Sequence, residues 1–127
     1  MPKSRSVDPG ELRAAVAAVA PWLDGRGDEP ARDDLATAVR LSLRTLAGVA
    51  PGRSVEMRVP PYAAVQCVAG PRHTRGTPPN VVETDARTWL ELATGRLEWT
   101  EAVESGRVDV SGARAAEVAH RLPVVRV

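Results

Sequence analysis

Apolar residues recur at helical spacing twice in the first part of the chain. Within "VDPGELRAAVAAVAPWL" the stripe is Leu12, Val16, Val19 and Leu23, with Ala15 beside it. Asp8 suits the N-cap, Pro9 the first helical position and Glu11 a box-like capping arrangement, while Pro21 is expected to bend or shorten the last turn. After the breaker-rich loop "DGRGDEP", Pro30 can open a second helix, "ARDDLATAVRLSLRTLAG". Its buried stripe is Leu35, Val39, Leu43 and Leu46; Arg32, Asp33, Arg40 and Arg44 stay solvated, and Gly48 is the expected stop. The loop between the helices is longer than the tight turn of a DNA-reading helix-turn-helix, and Asp33 and Asp34 offset the basic residues. A plain packing hairpin is the stronger reading.

From Ser54 the period changes to two. "SVEMRV" alternates Val55, Met57 and Val59 with Glu56 and Arg58, the mark of a strand with one buried face, and Pro60 and Pro61 end it. "YAAVQCVAG" reads as a second, more apolar strand and "NVVETD" as a third, so that the loop between them is expected to be a long hairpin connection. Thr84 or Asp85 can cap a helix carrying Trp89, Leu90, Leu92 and Ala93, with Gly95 placed for a left-handed C-terminal residue. A short helix through Trp99, Ala102 and Val103 stops at Gly106 for the same reason. "RVDVSG" alternates again as a strand, and "GARAAEVAHRL" reads as a closing helix before Pro123 and the tail "VVRV".

Composition narrows the function classes. The chain has 127 residues, 43% hydrophobic and 26% charged, which fits one domain with one core and argues against wholesale disorder. No apolar run reaches the roughly 18 residues of a membrane span, and no secretory cleavage pattern follows the N-terminus, so a cytoplasmic location is expected. A net charge of +1 gives no footprint for nucleic acid. One cysteine, Cys67, allows no internal disulfide and no cysteine-rich zinc site.

The stretch "ETDARTWLELATGRLEWTEAVESGRVDVSG" resembles the sterol carrier (sterol-transfer) domain family, including its small bacterial relatives. The resemblance rests on Asp85, Trp89, Gly95-Arg96-Leu97, Ala102, Ser105-Gly106-Arg107-Val108 and Ser111-Gly112: an acidic helix opening, two Gly-basic-apolar steps and a Ser-Gly turn before the closing helix. The chain is also similar to the C-terminal domains of mycothiol-dependent maleylpyruvate isomerase-type proteins. The resemblance implies a single α/β domain over 1–127, of the two-layer α+β kind, with an N-terminal helical part at 1–50 and a core at 54–122. Its sheet would be mostly antiparallel, of about five strands, with helices on one face and a cavity between the layers. It implies non-enzymatic binding or carriage of a lipidic or amphipathic ligand, such as an acyl compound; the alternative is an accessory domain for a partner enzyme, such as a mycothiol-dependent one, or a homodimer. No cofactor, metal, nucleic acid or membrane span is called for. The sequence departs from the family pattern in having no phenylalanine, in Met57 as its only internal methionine, in lacking the peroxisomal address, and in Ala113 after Gly112.

Candidate site residues fall into two groups. Trp89, Leu92, Trp99 and Val103 lie on the two helices expected to cover the sheet; they are either the apolar wall of a cavity or ordinary core. Arg72, His73, Arg75 and Asn80 belong to the proline- and glycine-rich stretch "CVAGPRHTRGTPPNVV", which is either a binding loop for an anionic head group or turn punctuation. Cys67 with His73 could form a nucleophile and base, but a small thiol among Val65, Val68 and Ala69 is the mark of an inert buried cysteine, and no catalytic residue is nominated. His73 and His120 have no carboxylate at ligand spacing, and His120 is placed to meet the last carbonyls of the closing helix.

Overall fold

The computed structural model describes residues 6–70 and 80–127. Two helices come first, α1 (Pro9–Leu23) and α2 (Arg32–Val49), then strands β1 (Val55–Val59), β2 (Ala63–Cys67) and β3 (Asn80–Thr84), helices α3 (Ala86–Ala93) and α4 (Trp99–Glu104), strand β4 (Val108–Ser111) and a 3-10 helix, Ala115–Arg121. Asp8 caps α1 as its position predicts, accepting the Glu11 N–H at 2.9 Å, and α1 ends soon after Pro21. Helix α2 runs through the expected stop at Gly48 and ends at Val49. Glycine without a left-handed conformation does not by itself terminate a helix.

The sheet has four strands, in the order β2-β1-β3-β4 among the described residues, and it is mixed. The expectation of about five mostly antiparallel strands is therefore corrected. β1 pairs antiparallel with β2 and β3 antiparallel with β4, but the central pair, β1 with β3, is parallel. Val55 faces Cys67 on one side and Asn80 on the other. β2 and β3 are consequently not paired as a hairpin. The hairpin reading assumed that strands adjacent in sequence are adjacent in the sheet; here β1 lies between them.

Alternation decides which face is covered. Val55, Met57 and Val59 are fully buried, and Val82 and Thr84 continue that face on β3. The opposite face carries Glu56, Arg58 and Glu83, where Arg58 pairs with Glu56 at 2.7 Å and, across to the parallel strand, with Glu83 at 3.7 Å. α2 and α3 pack over the apolar face, and Leu43, Leu46, Met57, Val82, Trp89, Leu90 and Leu92 fill the space between the layers. Trp89 is fully buried, so its indole N–H needs an acceptor: it donates to Ser42 Oγ at 2.8 Å, while Ser42 Oγ donates to the Ala38 carbonyl at 2.6 Å. This one contact ties α3 to α2.

The closing segment is a 3-10 helix instead of the expected α-helix. Its inward residues are Ala115 and Val118, followed by the half-buried Leu122, a spacing of three or four that a three-residue turn presents to the sheet. The i to i−3 bonds from Glu117 N–H to the Arg114 carbonyl and from Leu122 N–H to the Ala119 carbonyl follow that tighter winding.

Ser42→Ala should lower stability by about 1–3 kcal/mol, since it strands the buried Trp89 N–H without an acceptor. Urea unfolding of the variant checks this; a midpoint equal to the parent's would show that the indole finds another partner.

Candidate functional site

Helices α3 and α4 meet at an elbow that the ending of α3 builds, and the end of α4, before β4, repeats that ending. At the end of α3, Gly95 has φ 80°, its N–H donates to the Leu92 carbonyl at 3.2 Å, and the Arg96 N–H reaches back to the Glu91 carbonyl at 2.8 Å. At the end of α4, Gly106 at φ 78° and Arg107 repeat the same pair of bonds to Val103 and Ala102. This is the Schellman ending, and a left-handed residue makes it possible. Asp85 opens α3, accepting the Thr88 N–H at 2.8 Å and its hydroxyl at 2.9 Å.

The arginines that follow these glycines are clamps. Arg96 donates to both carboxylate oxygens of Asp24, at 2.7 and 3.2 Å, and to the Val127 carbonyl at 3.1 Å, tying the elbow to the end of α1 and to the C-terminal segment. Arg107 donates to Glu91 at 2.7 Å and to Thr88 Oγ at 3.1 Å, while Arg87 holds the other Glu91 oxygen at 2.9 Å and stacks over the Trp22 ring at 4.8 Å. The Arg96 hydrogen bond holds the Asp24 carboxyl below its ordinary value, and the same bond pushes the Arg96 guanidinium up.

A recess of about 270 Å3 lies at this elbow. Leu92 and Leu97 form apolar parts of its lining, Trp99 stands on α4, and Leu122 and Pro123 close it from the C-terminal segment, with Glu98 and Arg126 as its charged side chains. Among the described residues no strand residue lines it. The C-terminal segment is anchored because the Ala93 carbonyl accepts the N–H groups of both Val124, at 2.8 Å, and Val125, at 3.2 Å, and because Val125 packs with Leu12 and Val16 of α1.

The sequence-derived candidates are distributed as follows. Leu92 and Trp99 meet in this recess. Trp89 lies in the core between α2 and α3, and Val103 is 37% exposed on α4, outside the recess lining. Asn80 is buried at the start of β3, donating to the Ser54 carbonyl at 2.7 Å and accepting the Arg114 N–H at 2.9 Å, so it braces β1, β3 and the 3-10 helix together. Arg72, His73 and Arg75 lie outside the described residues. His120 is exposed and makes no hydrogen bond to the last carbonyls among the described residues. Among the described residues no three potential ligands gather as a metal site. Sequence reasoning missed Leu122, Pro123 and Arg126; Pro123 reads as a helix stop, and only the orphan carbonyl of Ala93 shows that the chain beyond it returns to α3.

The sequence model of a family described as "Bacterial SCP ortholog" matches residues 31–124 of the 127. The chain belongs to that family, the bacterial side of the sterol-carrier group that the Gly-basic-apolar cassettes resemble. No curated protein matches the chain. No helix among the described residues is long and apolar enough to cross a membrane.

Two expectations follow from the charges and the thiol. Because the folded Asp24 carboxyl is lowered, its pairing with Arg96 stabilises the fold above the ordinary carboxylate range and is lost as the pH falls through the lowered value. Asp24→Asn should therefore be less stable than the parent at neutral pH and equal to it in strong acid; an identical gap in urea midpoints at both would sink this account. Burial pushes the Cys67 thiol up to about 11, so it is neutral at physiological pH as well as inaccessible. A disulfide reagent should label it slowly in the native protein and fast in urea, and rapid native labelling would contradict the buried, protonated state.

Proposed function

We propose, from this family membership, that the protein is a non-enzymatic binder or carrier of a small lipidic or amphipathic ligand. The match over residues 31–124 carries the reading; the elbow recess has a lining more polar than apolar, in which a few apolar side chains stand beside one cation, Arg126, and one anion, Glu98. An apolar body would rest on Leu92, Leu97, Trp99 and Leu122, while a carboxylate end would turn toward Arg126. At about 270 Å3 the recess lies below the roughly 300–1,000 Å3 of pockets that enclose a drug-sized molecule, so it takes a short ligand or one end of a longer one. A cavity between sheet and helices would need Trp89 and Leu92 to part from a filled core, at the expense of the Trp89–Ser42 bond. Arg72, His73 and Arg75 remain candidates for the ligand's anionic head, and a cytoplasmic location remains part of this reading.

Native mass spectrometry of freshly purified protein, followed by organic extraction, is expected to show a bound acid or lipid. Leu122→Trp, which fills the recess without adding charge, should abolish the adduct while leaving the circular dichroism unchanged. An empty parent protein that also shows no thermal shift across a panel of fatty and aromatic acids would overturn the carrier reading and favour an accessory domain docking on a partner enzyme.

A further inference from the structure

We propose that a second recess, between the ends of α2 and β2 and the 3-10 helix, binds a small oxyanion, a carboxylate or phosphate group, through Arg121 and His120. The recess measures about 420 Å3 and shares no lining residue with the elbow recess, so this site stands independently of the carrier reading. The 3-10 helix separates the two: Ala119 lines one and His120 the other.

Charge and donor chemistry point to an anion. Arg121 and His120 are exposed, and neither side chain has a hydrogen bond or ion pair among the described residues, so a fork of guanidinium N–H groups and an imidazole are available at the recess. Among the described residues the one carboxylate in the lining, Glu117, is already paired with Arg114 at 3.3 Å, which leaves the positive charge of Arg121 in excess there.

The facing wall is rigid. Val68 sits at φ 68°, a conformation that a β-branched residue adopts only when its surroundings over-determine it. Here they do: its N–H donates to the Ala50 carbonyl at 2.7 Å, and its carbonyl accepts both the N–H and the hydroxyl of Ser54, at 3.0 and 2.9 Å. A Cβ added at Gly52 would run into that same carbonyl, so the exit of α2 and the end of β2 interlock. The following Ala69 N–H has no acceptor among the described residues, and Ala69 lines the recess. A wall fixed in this way loses little freedom when a ligand settles against it.

An amide NMR titration with inorganic phosphate, and a second with acetate, each at constant ionic strength balanced by chloride, tests the site. Saturable shifts confined to Ala50, Ala69, Glu117, His120 and Arg121 are expected with at least one of the two anions, and the tighter binder names the oxyanion. Arg121→Gln and His120→Gln should each weaken binding by about fivefold or more, the scale of one charge-assisted hydrogen bond at a solvated site, while Arg13→Gln on the outer face of α1 leaves it unchanged. No saturable shift with either anion would overturn the proposal. So would equal weakening by Arg13→Gln, which would mean general charge screening rather than a site.

Discussion

The end of α3 leaves a backbone carbonyl that the helix itself cannot satisfy, and much of the molecule is arranged around it. Gly95 turns left-handed, so the chain departs before the Ala93 carbonyl can receive the N–H that continued winding would bring. The N–H groups of Val124 and Val125 supply what is missing. That bond returns the C-terminal segment to α3, lays Val125 against Leu12 and Val16 of α1, and brings Leu122, Pro123 and Arg126 over the elbow. The recess is thus a by-product of helix termination. A side chain at Gly95 would have to hold φ 80° with Pro123 and Arg126 already packed above it, which joins the turn, the tail and the recess in one constraint.

The sheet imposes the second constraint. Val55 is flanked by Cys67 and by Asn80, so the end of β2 and the start of β3 lie on either side of the start of β1. Polar braces gather at this shared end of the three strands: Ser54 holds the Val68 carbonyl, and Asn80 bridges the Ser54 carbonyl to the Arg114 N–H. Burying these groups would be costly unless each found a partner, and no buried side-chain nitrogen or oxygen among the described residues lacks one. The strained Val68 is held by the same braces, which gives the recess beside the 3-10 helix a stiffer wall than a surface loop would provide.

Local chemistry was legible in the sequence and long-range pairing was not. Asp8, Asp85, Gly95 and Gly106 each mark a helix end because capping and left-handed turns depend on single residue types within a few positions. The alternation of Val55, Met57 and Val59 marked the buried face for an equally local reason. Strand order has no such signature: nothing in "YAAVQCVAG" or "NVVETD" says that β1 will lie between them. Apolar type alone also could not separate Trp89 from Trp99. Both sit on amphipathic helices, but Trp89 faces Ser42 across the helix pair and becomes core, whereas Trp99 faces the returning tail, whose course the periodicity leaves open.

The two Gly-Arg steps that carry the family likeness are structural in this chain. Their glycines end α3 and α4, and their arginines are occupied: Arg96 by Asp24 and Val127, Arg107 by Glu91 and Thr88. A sequence match on these positions therefore reports a fold, and two residues of the cassettes, Gly95 and Leu97, also line the recess. The other lining side chains, Leu92, Glu98, Trp99, Ala119, Leu122, Pro123 and Arg126, lie outside the steps, on α3, α4, the 3-10 helix and the returning tail. Under the proposed carrier reading, fold and ligand choice fall largely on separate residues, so members of one such fold could keep the elbow while changing what it holds.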